Sequence, residues 1–132
     1  MQTIPNRVLL SACVFACCGL VADAADRVRA GQWEQTLTVA GRTIAKSTCL
    51  TQSDADAING DARAIKAYTE KVNAPAGCTV TEVKLNGNQV VVTSVCASGK
   101  ENVGTTTYHG DSLETVNTNG TQSQAKWVGA CK

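Results

Sequence analysis

A mainly β domain with one helical insertion, two disulfides and an antiparallel meander of about seven strands is the fold this sequence predicts. Two observations carry that expectation. Apolar and polar residues alternate with a period of two on both sides of a central segment, and within that segment the period lengthens to about 3.6. The turn pairs Ala40-Gly41, Asn86-Gly87, Gly110-Asp111 and Asn119-Gly120 divide the β-patterned stretches. The expected form is a curled sheet or half-barrel packed on a helix.

The first elements belong to export. Arg7 precedes an apolar run from Val8 to Val21, and Ala22-Asp23-Ala24 is a small-x-small cleavage site. This predicts a signal peptide over residues 1–24 and a single domain over 25–132, periplasmic or secreted. The run is shorter than the ~20 residues of a membrane helix. A lipid-anchored alternative rests on Leu10-Ser11-Ala12-Cys13, a lipobox-like string, and on a poorer match ending at Cys17. Roughly a hundred residues then remain, enough for one core and too few for two.

Gly31 to Val39 alternates, with Trp33, Leu37 and Val39 on one face and Glu34, Thr36 and Thr38 on the other. Ala40-Gly41 turns the chain, and Arg42 to Leu50 returns as its hairpin partner. Ile58, Ala62, Ile65, Tyr68 and Val72 then make an apolar helical stripe, with Ser53 and Asp56 as a weak capping box and Gly60 as a break. Pro75 and Gly77 close this segment.

Asn86-Gly87 marks the next hairpin. A two-residue loop there sets Leu85 against Asn88, Val83 against Val90 and Cys78 against Val95. Cys78 and Cys96 would then point to opposite faces of the hairpin, making their pairing the least favoured of three. The preferred connectivity is Cys49 with Cys78, closing the base of the helical excursion, and Cys96 with Cys131. Pairing Cys49 with Cys96 and Cys78 with Cys131 stays open. The last third, Asn102 to His109, Ser112 to Thr118 and Thr121 to Cys131, reads as three further strands.

The order of these landmarks resembles the bacterial exported domain-of-unknown-function family thirty-six-seventeen. The residues carrying the resemblance are Gly31-Gln32-Trp33-Glu34, Cys49-Leu50-Thr51, Cys78-Thr79-Val80, Val95-Cys96, Tyr108-His109-Gly110-Asp111-Ser112 and Gly129-Ala130-Cys131. Trp127-Val128 departs from the basic character the family often shows before the last glycine. The resemblance implies an exported protein and brings no assigned activity.

The chemistry the chain excludes is broader than what it suggests. A formal net charge of +1 and 4% aromatic residues give neither a basic nucleic-acid surface nor a stacking platform. His109, the only histidine, has Asp111 and Ser112 beside it, but a turn brings such neighbours together anyway. With no C-x-x-C pair, the cysteines read as structural rather than zinc-binding or redox-active. Asp54, Asp56 and Asp61 lack calcium-loop spacing and suit helix starts. No cofactor, metal or catalytic residue is therefore expected.

The function expected is a non-enzymatic binding module for a small apolar ligand or an envelope partner. Trp33, Trp127, Leu37 and Tyr108 are the candidate ligand-facing or core residues. The alternative is an envelope structural, interaction or stress-related protein without a ligand pocket; an enzyme is the lesser alternative. A solvent-open cavity bordered by Trp33 would distinguish the first reading from the second.

Overall fold

The computed structural model describes residues 26–132. The expected signal peptide, with Cys13 and Cys17, lies outside the described residues. Strands β1 (Gly31–Val39) and β2 (Arg42–Leu50) lead into helices α1 (Gln52–Ile58) and α2 (Ala62–Asn73), which end in a short 3₁₀ turn, Ala74–Ala76. Five strands follow: β3 (Thr79–Asn86), β4 (Gln89–Val95), β5 (Glu101–Tyr108), β6 (Ser112–Asn117) and β7 (Gln122–Gly129). They form one antiparallel seven-stranded sheet in the order β2-β1-β7-β6-β5-β4-β3. The sheet is open, with β2 and β3 as its edges.

The strand order dictates where the helices go. Because every neighbouring pair is antiparallel, the end of β2 and the start of β3 lie at diagonally opposite corners of the sheet. The helical segment must therefore cross one face from corner to corner. Gly60 does interrupt it: α1 stops at Ile58, and Asp61 starts α2 by accepting the Ala64 N–H through its carboxylate at 2.9 Å. The cap of α1 is Thr51, whose hydroxyl accepts the Asp54 N–H at 3.1 Å, and not the Ser53–Asp56 box. Within the expected stripe Ile65 is buried, while Val72 near the end of α2 is 51% exposed.

The disulfides are Cys49–Cys131 and Cys78–Cys96, which overturns the preferred connectivity. A Cys49–Cys78 bridge requires the helical excursion to return to its origin. Here it ends at the opposite corner. The disfavoured hairpin bridge forms because two shifts correct the register. The β3–β4 loop is Gly87-Asn88, one residue later than expected, so that Leu85 faces Val90 and Val83 faces Val92, two apolar cross-strand pairs. Gly87 supplies the positive φ, +60°, at the first loop position. A bulge between Val80 and Glu82 then absorbs one residue, returning Thr79 to Val95 and setting Cys78 directly opposite Cys96, Cα to Cα 3.8 Å. The same bulge turns Val80 inward, where it is 2% exposed. Cys49–Cys131 joins the ends of β2 and β7 on either side of the start of β1.

Candidate functional site

Strands β1 and β7 position the two tryptophans. A register shift between Gln32 and Trp33 places Trp33 opposite Trp127 on the helix-covered face. Each indole N–H is satisfied by the chain entering β1: Trp33 Nε1 donates to the Arg29 carbonyl at 3.0 Å, and Trp127 Nε1 to the Ala30 carbonyl at 3.1 Å. Gly31 makes the second contact possible. Its φ is +136°, and a Cβ there would overlap both Trp127 Nε1 and the Gly129 carbonyl oxygen. The Arg29 guanidinium lies 3.3 Å above the centre of the Trp127 ring and also pairs with Asp111 at 2.8 Å. Both charges are well exposed, so the ion pair contributes at most about 1 kcal/mol.

The break between the helices holds the same entering segment. Asn59 both accepts from the Val28 N–H at 2.9 Å and donates to the Val28 carbonyl at 2.8 Å, acting as a one-residue strand partner. Arg27 donates through Nη1 to the carbonyls of Ile58 and Gly60 at 3.0 and 3.1 Å. Its Nε is buried and has no hydrogen-bond partner among the described residues. Val28, Trp33, Leu50 and Ala55 form the tight core around this anchor.

Away from the anchor the covered face is only partly filled. One space, about 170 Å³, lies beside Trp33 and is bordered by Val28, Leu50, Leu113 and Ala125. A second, about 210 Å³, lies between α2 and strands β4 to β6. The two share Ile58, Tyr68 and Tyr108 as walls and adjoin one another under the helices, a trough with these three side chains at its waist. Its two ends differ in character. The Trp33 end is aliphatic and aromatic, with Gln35 and Thr48 at its border. The far end carries Asn73, Ser94, Asn102 and Asn117.

Gly104, on β5, helps open that far end. A Cβ there would sit 2.6 Å from Asn117 Oδ1, the atom that accepts a hydrogen bond from Asn102 Nδ2 at 3.2 Å. Asn102 Oδ1 in turn accepts from Thr118 Oγ1 and the Asn119 N–H. At the waist, burial pushes the Tyr108 hydroxyl up to about 12, with the Arg27 charge pulling it down and Tyr68 adding to the rise. Tyr68 is also raised, by burial first and then by the Asp54 carboxylate.

Of the expected ligand-facing or core residues, Trp33 and Tyr108 border the trough. Trp127 packs behind Trp33 against the core. Leu37 shares the face of Trp33 but lies farther along β1, opposite Ile44 and Ser123, and borders neither space. The polar end lies outside the expected ligand-facing set because Asn102 and Asn117 stand near the ends of their expected strands, Asn102 to His109 and Ser112 to Thr118, where a polar residue gives no sign of facing inward. Alternation counted from Tyr108 back to Asn102 puts them on the covered face.

The outer face carries a larger but shallower depression, about 550 Å³, bordered by Glu34, His109, Glu114 and Lys126. The trio of His109, Asp111 and Ser112 is not assembled there. Asp111 is engaged by Arg29, Ser112 accepts the His109 backbone N–H through its carbonyl, and the half-exposed imidazole lies 3.7 Å from Glu114. Asp54, Asp56 and Asp61 all serve the helices: Asp56 accepts from Gln52 at 2.8 Å, Asp61 caps α2, and Asp54 occupies the first turn of α1. Among the described residues no three histidine, cysteine or acidic side chains come together as a metal site. None of their helices is long and apolar enough to cross a membrane.

Fold and site together define a disulfide-stapled open β-sheet with a diagonal helical strap over a partly hollow face. The chain belongs to the family described as proteins of unknown function (DUF3617), whose profile matches residues 28–131. No curated protein and no solved structure matches it.

Proposed function

We propose that the protein is a non-enzymatic binding module of an oxidising, extracytoplasmic compartment, and that the trough under the helices is its binding site. The observation that carries this reading is the unfilled space bordered by Trp33, Tyr68 and Tyr108. A strap that served stability alone would bring larger side chains into it, because every void forgoes dispersion contacts. The two disulfides support both halves of the reading. They fit an oxidising compartment, and they offset the stability that an incompletely filled core gives up. Native mass spectrometry of protein purified from its own envelope tests it. The expected result is a co-purifying small molecule displaced by denaturation, with tryptophan emission changing as it leaves. An apo mass in every preparation, and no change in emission on exposure to envelope extracts, would sink the binding reading.

A second reading is favoured by the exposed edge strand β2, nine residues long, whose alternate residues turn their backbone groups to the free side. A partner strand could add there in the manner of β-augmentation. In that case a stable protein complex, and no small molecule, would survive in the same spectrum.

A further inference from the structure

The lining of the trough specifies its occupant more closely. No charged side chain among the described residues borders either of the two spaces under the helices. The hydrogen-bonding groups present are the amides of Gln35, Asn73, Asn102 and Asn117 and the hydroxyls of serine, threonine and tyrosine. Their distribution is uneven: the space beside Trp33, Leu50 and Leu113 has Gln35 and Thr48 at its border, while the far space has Asn73, Asn102 and Asn117 alongside Ile65, Val90 and Val92. We infer that the trough holds an uncharged amphiphile, its apolar end against Trp33 and a neutral hydroxyl, amide or carbonyl end at Asn102 and Asn117. This inference rests on the binding reading above and gives that site its ligand class.

The physical reason is desolvation. An ionised head entering this space would lose its hydration and meet only neutral dipoles, whereas a hydroxyl or carbonyl can use the second hydrogen of each Nδ2 and the second lone pair of Asn117 Oδ1, the other positions being taken by Thr118, Asn119, Thr121 and the asparagines' own bond. Tyr108, like any tyrosine, is a neutral donor throughout the physiological range, and burial raises its hydroxyl further from ionisation. Arg27 is the nearby exception. It borders neither space, and its Nη1 is already held by the carbonyls of Ile58 and Gly60. A carboxylate reaching its unpartnered Nε is the specific alternative that the experiment must separate.

The test is a matched panel of octanol, octanoate and octylamine, titrated at neutral pH into the purified disulfide-bonded protein by calorimetry and by tryptophan emission. Octanol should bind at least about tenfold more tightly than either ionised probe, the order of preference expected when a charge must be buried without a partner. Octanoate or octylammonium binding as tightly as octanol would overturn the inference while leaving the site intact. A preference for octanoate would assign the head group to Arg27. If none of the three binds, this inference fails, while the native mass spectrum decides the binding reading separately. Thr69→Phe places the test at the trough, since Thr69 borders it from α2 and a larger side chain there fills it from the helix side. Octanol affinity should fall at least about fivefold with both disulfides retained, because the filled volume excludes the probe. Unchanged affinity would overturn the location. Should Thr69→Phe not fold, Thr69→Leu carries the same comparison.

Discussion

Gly31→Ala should be among the most damaging single-atom additions to this protein, and the reason can be worked from the geometry at its Cα. The residue sits at φ +136°. That φ lies beyond the left-handed α region, where L-residues are nearly excluded, at a cost of about 1–3 kcal/mol. A Cβ there also overlaps Trp127 Nε1 and the Gly129 carbonyl, so β1 and β7 must separate or the indole must rotate. Overpacking of that kind typically costs about 1–3 kcal/mol. Rotation would further break the bond from Trp127 to the Ala30 carbonyl, worth about 1 kcal/mol. Together these predict a loss of about 3–7 kcal/mol.

Gly41→Ala is the internal control. Gly41 also has a positive φ, +76°, but nothing lies within 4 Å of its Cβ position. It should lose only the cost of a left-handed conformation, about 1–2 kcal/mol. Urea unfolding followed by tryptophan emission measures both, since Trp33 and Trp127 are the only tryptophans and both stand at this junction. If the two variants agree within about 0.5 kcal/mol, the close approach at Gly31 contributes nothing and the account of the junction is wrong.

The remaining predictions address the staples, the anchor and the buried phenols. Replacing Cys131 by serine opens a loop of sequence separation 82, against 18 for Cys96, so loop-closure entropy predicts losses of about 4–5 and about 3 kcal/mol respectively. Cys78→Ser and Cys96→Ser should match each other, with the double variant little worse; additive losses measured by thermal unfolding would contradict the pairing. Asn59→Ala removes both hydrogen bonds to Val28 and should cost about 2–3 kcal/mol, with amide exchange accelerated at Val28; unaltered protection there would remove Asn59 from the anchor. For Tyr108 the folded-state pKa is raised from 10.0 to about 12, so the folded protein binds the phenolic proton more tightly than the unfolded chain does. Stability is therefore unaffected by this group below pH 10 and falls as the pH rises from 10 towards about 12. Tyrosinate absorbance should show delayed ionisation released by urea, and Tyr108→Phe should flatten the alkaline loss; ionisation near 10 in the folded protein would refute the burial argument.

Much of the architecture was legible because alternation and turn chemistry are local. The hairpin Gly31–Val39 with Arg42–Leu50 appears with its expected limits, as does the break at Gly60. The candidate site was legible in part. Trp33 and Tyr108 stood out as large aromatic residues in alternating strands, whereas Asn102 and Asn117, polar residues near the ends of their expected strands, gave no sign of facing the covered side. The hairpin bridge depends on register. Asn86-Gly87 is a good turn signal, but pairing Leu85 with Val90 and Val83 with Val92 moves the loop by one residue, and the bulge after Val80 then restores the cysteines to one another.

By itself, the sequence determined the class of the domain, its seven strands and helical insertion, its four structural cysteines and its family, because period, turn residues and the order of short motifs are written along the chain. Only the tertiary structure decided which cysteines meet and that the covered face is partly hollow. Both depend on the helices crossing from one corner of the sheet to the other. That crossing follows from the pairing of β1 with β7, a contact between the two ends of the domain that no local pattern records.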